Sequence, residues 1–296
     1  MAPTVSFYPG RTHIIREEKI WRRNVIYYYS NNSQIPLTGI ANLPYTDVIL
    51  GFLYPDANLN YLQVGGDWSN LLIQNVQSDV QTLQSVGQNV LISFAGAGVD
   101  FPAYQRWAQD VKGLVDELVF WVNVYGFNGV DIDYEDNAGF QGAYDGVTFL
   151  DQLTSGLATA LPSGRNIITH APQTAYWDAS GNQFQWVPVG GRAPYAQIWN
   201  DVGNQITWIN IQFYNTPYYD QDDPTKLYWY EVITTFTGPQ KLLMGVLLSG
   251  GEGVVSLDDM VQNLIPPLKA SYGTEFGGVM AWQFSFDADG SWANGI

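Results

Sequence analysis

Short, largely apolar runs alternate with longer amphipathic ones along most of the chain. Eight of the short runs read as strands: Val25–Ser30, Asp47–Tyr54, Asn89–Ala95, Gly129–Glu135, Asn166–Ala171, Ile206–Tyr214, Lys241–Leu248 and Gly277–Phe284. The longer runs Leu72–Ser85, Tyr104–Tyr125, Gly146–Leu161, Leu227–Thr235 and Leu257–Tyr272 read as helices. Tyr104–Tyr125, for example, places Trp107, Val111, Leu114, Leu118 and Trp121 at the i, i+3/i+4 rhythm of a helix with one face on a core. The strands are continuous apolar runs rather than alternating ones, which predicts a parallel sheet buried on both faces. Eight such strands with helical crossovers fit an α/β fold, a single (β/α)8 TIM barrel of about 250 residues. A doubly wound open sheet is the alternative, but no Gly-rich phosphate loop opens the first helix. No repeat, low-complexity tract or linker divides the pattern, so residues 24–296 read as one barrel domain. Residues 1–23 form a compositionally separate arm, with Pro3, Pro9, Arg11, Arg16, Lys19, Arg22 and Arg23, expected to pack on the barrel. Only residues 283–296 follow Trp282, too few for a full eighth helix, and the arm is expected to cover the wall left open.

Charge narrows the partners. The 296 residues carry 12 Lys+Arg against 28 Asp+Glu, a net charge of −16, which argues against nucleic acid and against an anionic membrane surface. No stretch approaches the ~20 apolar residues of a membrane helix. No apolar core of a signal peptide lies between Met1 and Ile20; an extracellular location is expected, with the cytoplasm as the alternative. With no cysteine and only His13 and His170, thiolate chemistry and Cys-based zinc sites are excluded, and a Ser-His-Asp triad has few parts. The excess is aromatic, 11 Trp, 19 Tyr and 14 Phe, which suits the stacking of neutral rings such as sugars.

The segment Phe127-Asn128-Gly129-Val130-Asp131-Ile132-Asp133-Tyr134-Glu135-Asp136 carries the chemistry. On a strand, Asp131, Asp133 and Glu135 share one face at a spacing of about 7 Å. Three acids facing the inside of a sheet are costly unless they share protons, and mutual repulsion keeps one protonated, as a general acid requires. Glu135 falls at the C-terminal mouth, where barrel enzymes keep catalytic groups. A solvated edge strand, or a divalent-metal site from Asp131, Asp133 and Asp136, are the other readings.

This segment resembles the D-G-x-D-x-D-x-E signature of glycoside hydrolase family 18, the family of chitinases and endo-β-N-acetylglucosaminidases. Further stretches resemble the family in the same order: Ser93-Phe94-Ala95-Gly96, His170-Ala171-Pro172-Gln173, Gln212-Phe213-Tyr214-Asn215 and Gly277-Gly278-Val279-Met280-Ala281-Trp282. The A-P-Q and Q-F-Y-N elements are similar to hevamine-like members. Together they span residues 25–287. Two departures stand out: Asn128 replaces the first acid, and the S-x-G-G glycines are loosened into Ala95-Gly96-Ala97-Gly98. Since Asn128 lies off the ladder face, altered stability or pH profile is expected rather than lost activity.

The resemblance implies roles. Glu135 would protonate the glycosidic oxygen and then activate water, while the substrate's own 2-acetamido group attacks. Asp133 would orient that group and stabilise the oxazolinium intermediate, and Asp131 would share a proton with Asp133. Tyr214 would bond the acetamido oxygen, with Gln212, Asn215 and Gln173 fixing the sugar. Trp282 would floor the pocket, and Tyr27 and Phe52 would wall it, Tyr29 sharing the face of Tyr27. The implied partner is an N-acetylglucosamine-containing polysaccharide or glycan bound by a monomer, without metal or cofactor. Chitin is the expected substrate; the chitobiose core of N-glycans, a non-catalytic lectin and a transglycosylase remain alternatives. His170 reads as a structural histidine. Tyr218–Asp223 with Tyr228-Trp229-Tyr230, and Trp177 with Trp186, are candidate sugar-stacking rims. Asn31-Asn32-Ser33 matches a glycosylation sequon.

Overall fold

The computed structural model describes residues 23–29, 36–56, 61–64, 75–181 and 191–296. Nine strands form one sheet: β1 (Arg23–Tyr28), β2 (Asp47–Pro55), β3 (Leu62–Val64), β4 (Asn89–Ala95), β5 (Gly129–Asp133), β6 (Ile167–His170), β7 (Trp208–Gln212), β8 (Leu242–Leu247) and β9 (Gly278–Trp282). β1 pairs in parallel with both β2 and β9, which closes eight of them into a barrel. β3 is an added antiparallel strand on β2 that the sequence pattern did not suggest.

The crossovers are helical: α1 (Val76–Ser85), α2 (Phe101–Gln109), α3 (Val111–Tyr125), α4 (Asn137–Phe140), α5 (Gly146–Ala160), α6 (Pro194–Val202), α7 (Pro217–Asp220) and α8 (Asp223–Thr237). α9 (Leu257–Asp259) runs through a π turn into α10 (Ile265–Tyr272), and α11 (Ser291–Gly295) ends the chain. Among the described residues, no helix is long and apolar enough to cross a membrane.

Strand periodicity sets what faces where. On β7, Ile209 and Ile211 join the outer core beneath the helices, whereas Trp208, Asn210 and Gln212 point inward. The barrel interior is filled by Val25, Tyr27, Ile49, Leu91, Trp208, Leu243 and Met280. Continuous burial of both faces is why the strand runs carried no alternation.

Three expectations need correction. The single helix over Tyr104–Tyr125 is two, broken at Asp110 (φ −140°), whose side chain caps α3 by accepting from the Gly113 N–H at 3.0 Å. A Cβ on Gly113 would meet that carboxylate at 2.5 Å, so the glycine lets the side chain lie close over the helix end. Between β6 and β7 lies α6, which is absent from the expected helices, with Tyr195, Ile198 and Val202 on its buried face. Arg23 belongs to β1, and residues 1–22, including the proposed cover for the barrel wall, lie outside the described residues. In place of a full eighth helix, the short α11 buries Trp292 and Ala293. Asp287 anchors it by accepting from Trp292 N at 2.7 Å, Ala293 N at 3.2 Å and the Tyr45 hydroxyl.

α5 and α6 meet through two carboxyl groups, Asp151 and Asp201. Burial first, then the charges of Asp201 and Asp145, push Asp151 up to about 7. Bonds from Gln197 and Asn200 hold Asp201 below its ordinary value, so Asp201 carries the charge and Asp151 the proton. A carboxyl raised on folding destabilises the fold as pH climbs from its unfolded value, near 4, to about 7. Asp151→Asn should therefore melt close to the parent at pH 4 and above it at pH 8. Thermal melts at both values check this, and an equal offset at both would contradict it.

Candidate active site

The site is built along β5. Gly129 opens the strand where a Cβ would lie 1.9 Å from the Ile167 carbonyl oxygen, so the signature's glycine is needed for β5 to approach β6. From there Asp131 and Asp133 face inward, and Glu135 continues the ladder just beyond the strand's end, at Asp133.

Asp131 is fully enclosed (0% exposed) but well supplied with donors. The hydroxyls of Tyr27 (2.8 Å), Ser93 (2.7 Å) and Thr169 (2.6 Å) and the amide of Asn210 (3.4 Å) all donate to it. Burial raises its proton affinity and these four bonds oppose the rise. Above it, Asp133 accepts from Gln212 Nε2 at 2.9 Å, and the same nitrogen bonds the Ala171 carbonyl at 2.8 Å and reaches Glu135 at 3.5 Å. Burial, then the charges of Glu135 and Asp131, push Asp133 well above the ordinary carboxyl range. Glu135 is also raised by burial, opposed by bonds from Gln212, Gln173 and the Ala97 N–H. Asp133 and Glu135 are hydrogen-bonded to each other, so one proton belongs to the pair. The proton sharing expected between Asp131 and Asp133 is not what the bonds show, because the oxygens of Asp131 are taken by its other donors.

The pair opens onto a cleft of about 330 Å³ lined by Tyr29, Phe52, Tyr54, Ala97, Gly98, Gln173, Gln212, Tyr214, Asn215 and Trp282. Trp282 is stacked on Phe52 at 5.7 Å and lies 5.4 Å from the Tyr29 ring. Gln173 donates to Glu135 at 3.2 Å. The buried Tyr214 lines the cleft. Burial, then the charges of Asp133 and Glu135, raise its proton affinity, so it stays a donor. Asn215 adopts φ +56°, a left-handed conformation that asparagine tolerates, and its Oδ1 accepts from Glu252 N at 3.3 Å.

Nine of the ten sequence-derived site residues thus line the cleft or meet on the ladder beneath it. Tyr27 departs from its expected place: only 1% exposed, it lies under the pocket and serves Asp131, while Tyr29 forms the wall. Period-two alternation gives the face of a strand but not the depth. Trp177 is buried (2%) against Tyr195 and Phe236, so it is core and not rim; Trp186 and the Asn31 sequon lie outside the described residues. Tyr219 and Tyr230 are buried too, leaving Tyr218 and Tyr228 exposed. Asp136 caps α4 and accepts from Tyr144, so it does not join the other two acids of the alternative metal set. His170 is buried between Thr154 and Tyr195, and burial lowers it to about 3, as a structural histidine. Sequence reasoning missed Tyr54, Ala97 and Gly98 on the wall and Thr169 and Asn210 below. Their signal was present: Tyr54 follows Phe52 by two, and Thr169 and Asn210 are polar residues at inward positions of apolar strands.

The comparisons with known proteins agree with this geometry. The sequence profile of Glycosyl hydrolases family 18 matches residues 24–252. The chain belongs to glycoside hydrolase family 18. A family 18 chitinase structure from Pseudoalteromonas aurantia is 33% identical, with a TM-score of 0.82 over 92% of this chain and 98% of that one. Acidic endochitinase SE2 of Beta vulgaris is 25% identical over 89% of this chain and 87% of its own length. Chitinase D of Niallia circulans is 34% identical over 36% of this chain, a match spanning 22% of that longer protein. Against the family signature, Asn128 is the departure, and its side chain ties β5 to its neighbours. The Asn128 Oδ1 accepts from Val90 N and from Gln84 Nε2, both at 2.8 Å.

A carboxylate would accept both bonds equally well. Asn128→Asp should therefore leave stability within about 0.5 kcal/mol and kcat/KM within about twofold. Asn128→Ala, which strands the Val90 N–H, should cost about 1–3 kcal/mol. Denaturant unfolding of both variants checks the contrast.

Proposed function

We propose that this family 18 member cleaves β-1,4 bonds next to N-acetylglucosamine in chitin or chito-oligosaccharides. Cleavage retains configuration and proceeds by substrate-assisted catalysis. The observation that carries this reading is the arrangement of acids. The acids lining the cleft, Asp133 and Glu135, stand two residues apart at the end of β5, and one nitrogen, Gln212 Nε2, reaches both, at 2.9 and 3.5 Å. Two carboxyls gathered on one amide nitrogen cannot stand on opposite sides of a scissile bond, as two-carboxylate retaining or inverting mechanisms require at about 5 Å or more. The nucleophile must then come from the substrate, and a 2-acetamido group supplies one in its carbonyl oxygen.

Glu135, the more exposed of the pair, delivers the shared proton to the leaving glycosidic oxygen. The acetamido oxygen closes on the anomeric carbon as that bond breaks, giving an oxazolinium ion. Its positive charge lies beside Asp133, and the Tyr214 hydroxyl donates to the acetamido oxygen. Glu135, now a carboxylate, takes a proton from water as that water opens the ring on the same face. Trp282 and Phe52 supply the apolar floor on which axial C–H bonds of the sugar pack. Among the described residues no cation lines the cleft, in keeping with a neutral polymer.

Product mass spectrometry on a chito-oligosaccharide and a high-mannose glycopeptide, side by side, tests the reading. The oligosaccharide should be cut and the glycopeptide spared, with the β-anomer appearing first by NMR. Glu135→Gln should lose about 10²–10⁴-fold in kcat. Glycan release would move the assignment to the chitobiose core of N-glycans, and binding without cleavage would make the protein a lectin.

A further inference from the structure

The inner face of β7 holds a polar side chain that the proposed chemistry does not touch. Asn210, fully buried (0% exposed), lies one inward position below Gln212. Its Nδ2 is 3.4 Å from Asp131 Oδ1, and its own Oδ1 accepts from the Trp208 indole at 2.9 Å. An indole N–H can only donate, so it fixes which end of the amide faces which neighbour. With the oxygen held by Trp208, the NH2 group is turned to Asp131. Trp208 is held in turn. The Arg23 guanidinium sits 3.7 Å above its ring, and Arg23 is paired at 3.1 Å with Asp47, which also receives bonds from Thr46 and Asn89.

Asp131 is faced by Tyr27 from β1, Ser93 from β4, Thr169 from β6 and Asn210 from β7, with Asp133 beside it on β5 and the Tyr214 and Tyr195 phenols near enough to sense its charge. The three bonded hydroxyls are ambidextrous. Should Asp131 take up a proton, each can turn and accept it. The amide of Asn210 cannot, because Trp208 holds its oxygen away and an NH2 group only donates. Of the four donors, Asn210 alone cannot receive that proton, and its bond to Oδ1 is stronger when Asp131 is ionised.

We propose that Trp208 and Asn210 are positioning residues that keep Asp131 ionised and so leave the ladder's proton with the Asp133–Glu135 pair, where it can reach a glycosidic oxygen. This rests on the reading of Glu135 as the proton donor. Losing the locked donor lets Asp131 compete for the proton and populates a form with no acid at the cleft.

Trp208→Phe keeps a ring for Arg23 but removes the N–H, and Asn210→Leu removes the donor outright. On a chito-oligosaccharide, the acid limb of kcat/KM should move up by about half a pH unit or more in both variants, and the alkaline limb by less. The bell narrows. Separately from turnover, 13C NMR of carboxyl-labelled aspartate should show Asp131 titrating at higher pH in both variants than in the parent. Superimposable profiles with an unmoved Asp131 resonance overturn the proposal, even if rates fall uniformly, since a merely structural role would do that. A parent protein inactive on the oligosaccharide would sink the functional reading instead, and the Asp131 titration would still decide the positioning role.

Discussion

Burying a ladder of three carboxyl groups along β5 and just past its end is the constraint from which the rest follows. Removing a carboxylate from water costs several kcal/mol unless donors replace the lost hydration. Here the donors come from β1, β4, β6 and β7, reaching β5 from both sides. In an open sheet, β1 and β5 would be separated by the width of β2 and β4. Only the closed barrel curls Tyr27 round to within 2.8 Å of Asp131. Closure is therefore not a frame on which the site happens to sit: it is what makes the acid ladder tolerable.

Most of the barrel was legible because its strands are buried on both faces and punctuated by amphipathic helices. The ladder was legible too, since Asp131, Asp133 and Glu135 alternate with apolar residues that fix their phase. Three kinds of fact were not. Depth was one: Tyr27 and Tyr29 share a face, and only the position of each along the barrel axis separates a carboxylate donor from a cleft wall. Long-range partnership was another, because nothing within ten residues of Asp131 announces Thr169 or Asn210. The break at Asp110 was the third; a capping aspartate followed three residues on by glycine was there to read, but the apolar rhythm of Trp107, Val111 and Leu114 runs straight through it.

The electrostatics of the interior are sorted by layer. The ion pair of Arg23 and Asp47 lies at the entry ends of β1 and β2, with Arg23 against Trp208. Asp131 with its four donors occupies the middle, and Asp133 and Glu135 with their aromatic walls occupy the mouth. A net charge of −16 would draw stray cations toward such a mouth, yet the acids there are held partly neutral by burial and by one another. The cleft can thus present a proton without presenting a strong field, a combination suited to an uncharged polymer that gains positive charge only in mid-reaction.

The left-handed Asn215 bears on how the enzyme could be reshaped. Its backbone N–H bonds the Glu252 carbonyl at 3.1 Å while its side chain bonds the Glu252 N–H, and Gly251 is small enough to let that side chain pass at 2.7 Å from where a Cβ would be. The loops after β7 and β8 are thereby stitched together next to Tyr214. For anyone grafting loops between barrels, they constitute one exchangeable cassette. Transplanting either alone would import one half of a seam and leave the tyrosine's backbone without the neighbour that sets its pose.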